Sequence, residues 1–220
     1  QEQAYLEMVC SRGNLANLPE ARENLLAARE KASQFVENLA LQILSLKPRI
    51  VGASSTFQQH CASLALLRKL KALCPSVITV MGGANCEGIM GVTLARHFEW
   101  VDYVVSGEAD KLAVPLFVSL LEGKKELPYG VISQDPASWI SGPGGQPPRA
   151  TFQAMDQTAV PDFDDYFRAL EESTLDLLPG LLVETSRGCW WGQKHHCTFC
   201  GLNADYLDFR AKSPERATRE

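Results

Sequence analysis

Four short apolar runs, each breaking into small or turn-forming residues and separated by helix-length segments, leave few folds open to this chain. Arg49-Ile-Val-Gly-Ala-Ser54 runs into Ser55-Thr56, and Ser76-Val-Ile-Thr-Val-Met81 runs into Gly82-Gly83. Val101-Asp-Tyr-Val-Val105 breaks into Ser106-Gly107-Glu108, and Tyr129-Gly-Val-Ile-Ser133 is a fourth run, expected at the sheet edge. Between them, Gln58–Leu73, Glu87–Phe98 and Asp110–Leu121 carry helical patterns. A longer helix is predicted from Glu20 to Leu46, where Leu25, Leu26, Phe35, Val36, Leu39, Ile43 and Leu44 recur at helical spacing, and Lys47-Pro48 ends it. Strands alternating with helices predict an α/β, doubly wound parallel sheet of the Rossmann-like kind. Near-continuous apolar strands fit a sheet covered on both faces. Ligands of such sheets bind at the carboxyl ends of the strands. Three successive ends here carry Ser54, Ser55 and Thr56; Gly82 and Gly83; and Ser106, Gly107 and Glu108. Either these are simply tight turns, or together they open a shelf where backbone amides approach a large ligand.

Composition excludes several classes of function. The 220 residues hold 21 basic and 26 acidic side chains, a net charge of −5, which argues against nucleic acid and against a basic membrane-surface helix. No apolar run reaches the about 18 residues of a membrane-spanning helix. Seven irregularly spaced cysteines predict free thiols in a reducing compartment, hence the cytoplasm, and not a disulfide framework. The chain opens on Gln1 without a methionine and closes in what reads as the first turn of a helix, so a fragment is expected.

Residues 135–180 change character. Asp135-Pro136, Gly142-Pro-Gly-Gly145 and Pro147-Pro148 make a turn-rich linker, followed by an acidic stretch from Asp162 to Asp176 that coats a solvated helix. Leu181-Leu-Val-Glu-Thr185 is predicted to be a new strand opening a second domain. It leads into Ser186-Arg-Gly-Cys189-Trp-Trp-Gly-Gln-Lys-His-His-Cys197-Thr-Phe-Cys200, with seven and then two residues between the cysteines. Thiolates hold zinc or iron–sulfur clusters. Structural zinc wants four ligands, for which His195 or His196 would have to join the cysteines at an awkward spacing. Three thiolates without a fourth suit a [4Fe–4S] cluster with one iron left open. Buried inert thiols are the remaining alternative.

The cysteine loop resembles that of the radical S-adenosylmethionine superfamily, in a variant with a lengthened first spacing. Glu184-Thr-Ser-Arg-Gly-Cys-Trp-Trp-Gly, His196-Cys-Thr-Phe-Cys-Gly-Leu-Asn203 and Phe209-Arg-Ala-Lys-Ser-Pro-Glu215 resemble one subfamily, the cobalamin-binding radical SAM proteins that mature ribosomally made peptides (bacteriocin-type RiPPs). Val51-Gly-Ala-Ser-Ser-Thr-Phe-Gln-Gln and Met81-Gly-Gly-Ala-Asn-Cys-Glu-Gly are similar to its cobalamin domain. The resemblance implies a cobalamin-binding domain over residues 1–134, a linker over 135–180, and over 181–220 the first strand, cluster loop and helix start of a (β/α) partial TIM barrel. It implies Cys189, Cys197 and Cys200 as cluster ligands, S-adenosylmethionine on the open iron, and Phe199 beside its adenine. It places the nucleotide tail of cobalamin along Ser54 to Thr56 and Gly82-Gly83, with Ser106-Gly107-Glu108 nearby.

The implied reaction is radical modification, C-methylation of a precursor peptide, fed by a flavodoxin- or ferredoxin-type electron donor. The Asp-x-His-x-x-Gly cobalt-binding loop is absent, and His60 and His97 read as surface or capping residues. Trp190 and Trp191 either shield the cluster or pack under the loop. Arg187 and Lys194 either attract the carboxylate of S-adenosylmethionine or are ordinary exposed cations. Cys10, Cys61, Cys74 and Cys86 read as free thiols. A bulky Gly83→Val is expected to block the cobalamin tail and leave the fold intact. Two other functions stay open: a radical SAM protein with a scaffold-only first domain, and a metal-stabilised interaction module.

Overall fold

The computed structural model describes residues 2–12, 20–124, 126–174, 178–200 and 207–220. They form two compact units, Gln1–Ala150 and Thr151–Glu220. Residues 135–150, expected as linker, therefore belong to the first unit.

In the first unit, helix α1 (Glu2–Arg12) arises from a stretch without a legible pattern, and α2 (Ala21–Ser45) matches its apolar periodicity. Lys47 takes a φ of 52° and Pro48 bars further helix. Strands β1 (Ile50–Ser54), β2 (Ile78–Gly82) and β3 (Tyr103–Val105) are joined through α3 (Gln59–Leu73) and α4 (Ile89–His97). Helix α5 (Ala113–Glu122) precedes β4 (Val131–Ser133). The sheet order is β1-β2-β3-β4. β1, β2 and β3 are parallel, with Ser54 opposite Gly82 and Met81 opposite Val104. β4 lies at the edge as expected but is antiparallel to β3, with Val131 opposite Val105. The chain returns to the carboxyl edge after α5 before β4 begins, so β4 can only run back.

Side chains alternate between two cores, as the period of a strand requires. Val51, Met81, Val104 and Ile132 face a cluster closed by Ala40 of α2, Leu67 and Leu70 of α3 and Leu94 of α4. Val80, Val105 and Val131 face a second cluster closed by Leu112, Leu116 and Leu120. Helices thus cover both faces, which is why the strands read as unbroken apolar runs. A fully buried leucine such as Leu67 or Leu116 contributes about 2 kcal/mol over an exposed one. Buried Thr79 is satisfied at the opposite end: its amide and hydroxyl both donate to Asp102, at 2.8 and 3.0 Å, and Lys71 pairs with the same carboxylate at 2.7 Å.

The second unit holds α6 (Asp164–Glu171), α7 (Pro214–Arg219) and a two-stranded antiparallel ribbon of β5 (Ser186–Arg187) and β6 (Arg210–Ala211). The strand expected at Leu181–Thr185 is displaced: the ribbon begins at Ser186, and only Thr185 of the expected run joins it, its carbonyl accepting from Lys212 N at 2.9 Å. A parallel barrel strand is held by neighbours on both sides, and Leu182, 91% exposed, has none among the described residues. The start of α7 follows the sequence closely. Ser213 accepts from the amide of Arg216 at 3.1 Å, and Pro214 takes the first position. Nearly buried Arg216 donates to the carbonyls of Asp156 (3.2 Å) and Thr158 (2.8 Å), tying residues 156–158 to the helix.

Candidate functional site

At the carboxyl edge of the sheet, most of the small residues are used by the protein itself. Ser55 is fully buried. Its amide donates to Gly82 O at 2.7 Å, its carbonyl accepts from Asn85 N at 3.1 Å, and its hydroxyl meets Asn85 Nδ2 and His60 Nδ1 at 3.0 and 3.1 Å. Gly83 has a φ of 96°, and a Cβ there would stand 2.6 Å from Ser55 O and 2.8 Å from Ser55 N. Its missing side chain makes room for the β1 turn. The geometry therefore argues against the expectation that Gly83→Val leaves the fold intact, since its side chain would have to displace the Ser55 backbone.

The third turn is filled in the same way. Gly107, with φ 95°, forms a bridge with Ala150, whose backbone occupies the place of a Cβ. Ala150 N donates to Ser106 O, and Glu108 N donates to Ala150 O, each at 2.9 Å. The hydroxyl of buried Ser106 accepts from Gly88 N at 2.8 Å. Arg149, only 7% exposed, pairs with Glu87 at 2.9 Å and secures the crossing segment. The shelf expected across three turns is thus closed at β3 by residues 149–150. What stays open lies on β1 and β2: exposed Ser54, half-buried Thr56, and Gly82, where a Cβ would make only ordinary contact with Val105 at 3.5 Å. The first two turns thus keep small, accessible residues, whereas the third is filled by the protein's own backbone.

Cys86 lies at this edge but turns inward. It is fully buried, donates to Gly82 O at 3.3 Å, and its pKa is pushed up to about 12 by burial, with the charge of Glu87 adding to it. It is a protonated core thiol. His60 neither caps a helix nor stands free: its ring is anchored to Ser55 and lines an apolar cleft with Phe57, Asn85, Ile89 and Met90. The sequence singled out neither Phe57 nor this cleft, because a helix-start aromatic carries no signal of its own.

In the second unit, Gly188 and Cys189 follow β5 directly, so the ribbon positions the start of the cysteine loop. Cys189 N donates to Leu207 O at 3.2 Å, and Cys189 Sγ accepts from Gly192 N at 3.2 Å. Cys200 N donates to Cys197 O at 3.1 Å, so the close pair brackets a tight turn. None of the three cysteines is in a disulfide, and all are half-buried. Among the described residues no three His, Cys, Asp or Glu side chains converge as a metal site. The donor set nevertheless fits a thiophilic cluster: soft ligands only, one already accepting the kind of N–H bond that tunes cluster sulfurs. Trp190 and Trp191 are about half exposed and Phe199 is 90% exposed. Lys194 sits over the Trp190 ring at 4.6 Å, and His195 lies 5.3 Å from Trp191. Arg187 pairs with Glu184 through two 2.8 Å bonds. The Gly201-Leu-Asn203 portion of the motif and Asp176 lie outside the described residues.

No helix among the described residues is long and apolar enough to cross a membrane. No family model matches the chain. Over 187 residues, 81% of this chain, it is 22% identical to an anaerobic magnesium-protoporphyrin IX monomethyl ester cyclase from Rubrivivax gelatinosus. The chain spans 31% of that relative's length. The similarity is to an enzyme named for anaerobic work, and it carries no support for cobalamin, methyl transfer or a peptide substrate.

Proposed function

We propose that this chain contributes the cluster loop of a cytoplasmic radical S-adenosylmethionine enzyme, with Cys189, Cys197 and Cys200 as ligands of a [4Fe–4S] cluster. The observation that carries this is the donor set: three half-buried cysteines outside any disulfide in one loop, with Gly192 N–H on Cys189 and a turn between Cys197 and Cys200. The anaerobic work named for the similar cyclase supports it, since exposed clusters are oxygen-sensitive. When bound, the cluster supplies one electron to S-adenosylmethionine, which is cofactor chemistry. The chain's own residues do the holding. Thiolates bind iron, and the Gly192 amide stabilises negative charge on Cys189. Phe199 stands exposed where it can meet the adenine. Cobalamin belongs at Ser54, Thr56 and Gly82, and the substrate is a ribosomally made peptide that is C-methylated. A tetrapyrrole ester is the second candidate substrate, because the similar cyclase acts on one.

Anaerobic reconstitution with iron and sulfide tests the cluster. It should give about four irons per chain and broad visible absorbance. The triple Cys189→Ala, Cys197→Ala, Cys200→Ala variant should take up none. One tight zinc with no capacity for iron would sink the assignment.

A further inference from the structure

The cleft beside the β1 and β2 turns is unused by the cluster chemistry. It measures about 360 Å³ and is walled by Phe57, Ile89, Met90, Leu94 and Phe98, with His60, Asn85 and Thr93 as its polar lining. That volume is at the small end of ligand pockets, about 300–1,000 Å³, and suits one or two fused rings.

Two further features set its chemistry. The first is the proton on His60. Asn85 Nδ2 donates to Ser55 Oγ, and Ser55 is fully buried. The hydroxyl's own proton then needs an acceptor, and His60 Nδ1 at 3.1 Å is the one within reach. Nδ1 is thereby the accepting nitrogen, and the ring's proton sits on Nε2. The bond to Ser55 is the one hydrogen bond that the ring makes among the described residues. The cleft's polar lining thus presents an N–H donor on an anchored ring.

The second feature is Phe57. It holds a φ of 49°, left-handed backbone that is an outlier for a bulky residue, yet its ring is 74% exposed. Its carbonyl is fixed by Asn85 Nδ2 at 2.9 Å. The strain secures no core contact. Strain of this kind is kept where a side chain must stand in one place for a ligand.

We infer that the cleft binds a flat heteroaromatic molecule, its ring against Phe57 and its acceptor atom on His60 Nε2–H. The inference uses only the first unit and is independent of the cluster. The probe is quinoline, with naphthalene as the same shape lacking the ring nitrogen, titrated into the whole chain and followed by amide NMR. Quinoline should shift Phe57, His60, Asn85 and Ile89, and naphthalene should bind about fivefold more weakly, the worth of one neutral hydrogen bond. His60→Leu should erase that preference. Phe57→Gly relieves the backbone, so it should melt no lower than the wild type, yet bind quinoline about tenfold more weakly through lost apolar contact. Equal binding of the two probes by the wild type would overturn the inference, as would unchanged quinoline affinity in Phe57→Gly. Shifts with N-acetyltryptophanamide but none with quinoline would make the cleft a peptide-docking site and overturn it too.

Discussion

The sheet edge and the cysteine loop both concentrate unusual residues, and they use them in opposite ways. At the edge, Ser55 and Ser106 are fully buried, and Gly83 and Gly107 lie against the backbone of Ser55 and Ala150. The hydroxyls of Ser55 and Ser106 both have partners within the first unit. In the loop, the three cysteines form no disulfide and Trp190, Trp191 and Phe199 are exposed. The edge holds itself together. The loop is tied to the following segment by Cys189 N on Leu207 O and Phe209 N on Gln193, but it has little buried surface, and residues that bind a metal tightly gain their order from it.

The sharpest way to break this contrast is at Gly83. A side chain there meets Ser55 O at 2.6 Å in a backbone region that suits glycine, so Gly83→Val should destabilise the first unit by about 3 kcal/mol or more. Urea unfolding followed through first-unit amides measures it. Wild-type stability would show that the turn can open, and the edge would again be a candidate shelf.

Next in size is the clasp that closes the third turn. Glu87→Ala leaves Arg149, with a side chain only 7% exposed, without that carboxylate. The expected loss is about 2 kcal/mol, the range for hydrogen bonds to charged groups. Amide exchange at Glu108 and Ala150 should quicken with it. If exchange there stays slow, the bridge to Gly107 holds the segment alone, and Glu87 has another role.

The first unit was legible in the sequence because its strands are buried on both faces. The unbroken apolar runs, the helices between them and the edge position of Tyr129–Ser133 all follow from that burial. What escaped was long-range. Nothing in Gly107 or Ala150 announces that they meet, since the contact spans 43 positions and joins two small residues. The same holds for His60 on Ser55: both residues were visible, but the buried hydroxyl that fixes the ring was not. In the second unit, the Ser213-Pro214-Glu215 helix start was legible because capping is local chemistry. Leu181–Thr185 misled, because an apolar run specifies a strand only when a partner strand lies beside it. The cysteine loop was legible as chemistry through its donor types, whereas its shape is set by few local contacts.

A third prediction separates the two units by pH. The Asp156 carboxyl is held below its ordinary range, first by the amide of Ser213, which donates to it at 2.6 Å, and then by that residue's side chain. A carboxyl depressed in the folded state adds stability above its unfolded pKa, near 3.8, and loses it as pH falls through the folded value. Glu220 is lowered too, first by Lys212. Acidification should therefore loosen α7 before the first unit, seen as early loss of amide protection at Arg216. Asp156→Asn should flatten that acid limb. An unchanged limb would assign the acid sensitivity to Glu220.

The smallest effect is expected in the loop itself, and it decides what orders the loop. Lys194 over Trp190 is an exposed cation–π pair at 4.6 Å, and such pairs are worth about 0.5–1 kcal/mol at most. Lys194→Gln should change global stability by less than about 0.5 kcal/mol, since the solvated ammonium loses little when it leaves the ring. The informative readout is exchange at Trp191, His195 and Cys200. Before iron is added, these amides should exchange almost as fast in the wild type as in Lys194→Gln, because single-turn bonds such as His195 N to Trp191 O (2.9 Å) open without disturbing a core. After anaerobic loading, both proteins should show the same strong protection, since three thiolate–iron bonds far outweigh one surface contact. If Lys194→Gln alone removes protection from the metal-free loop, the aromatic cluster is what holds it. The contrast between a self-supporting edge and a metal-dependent loop would then fail.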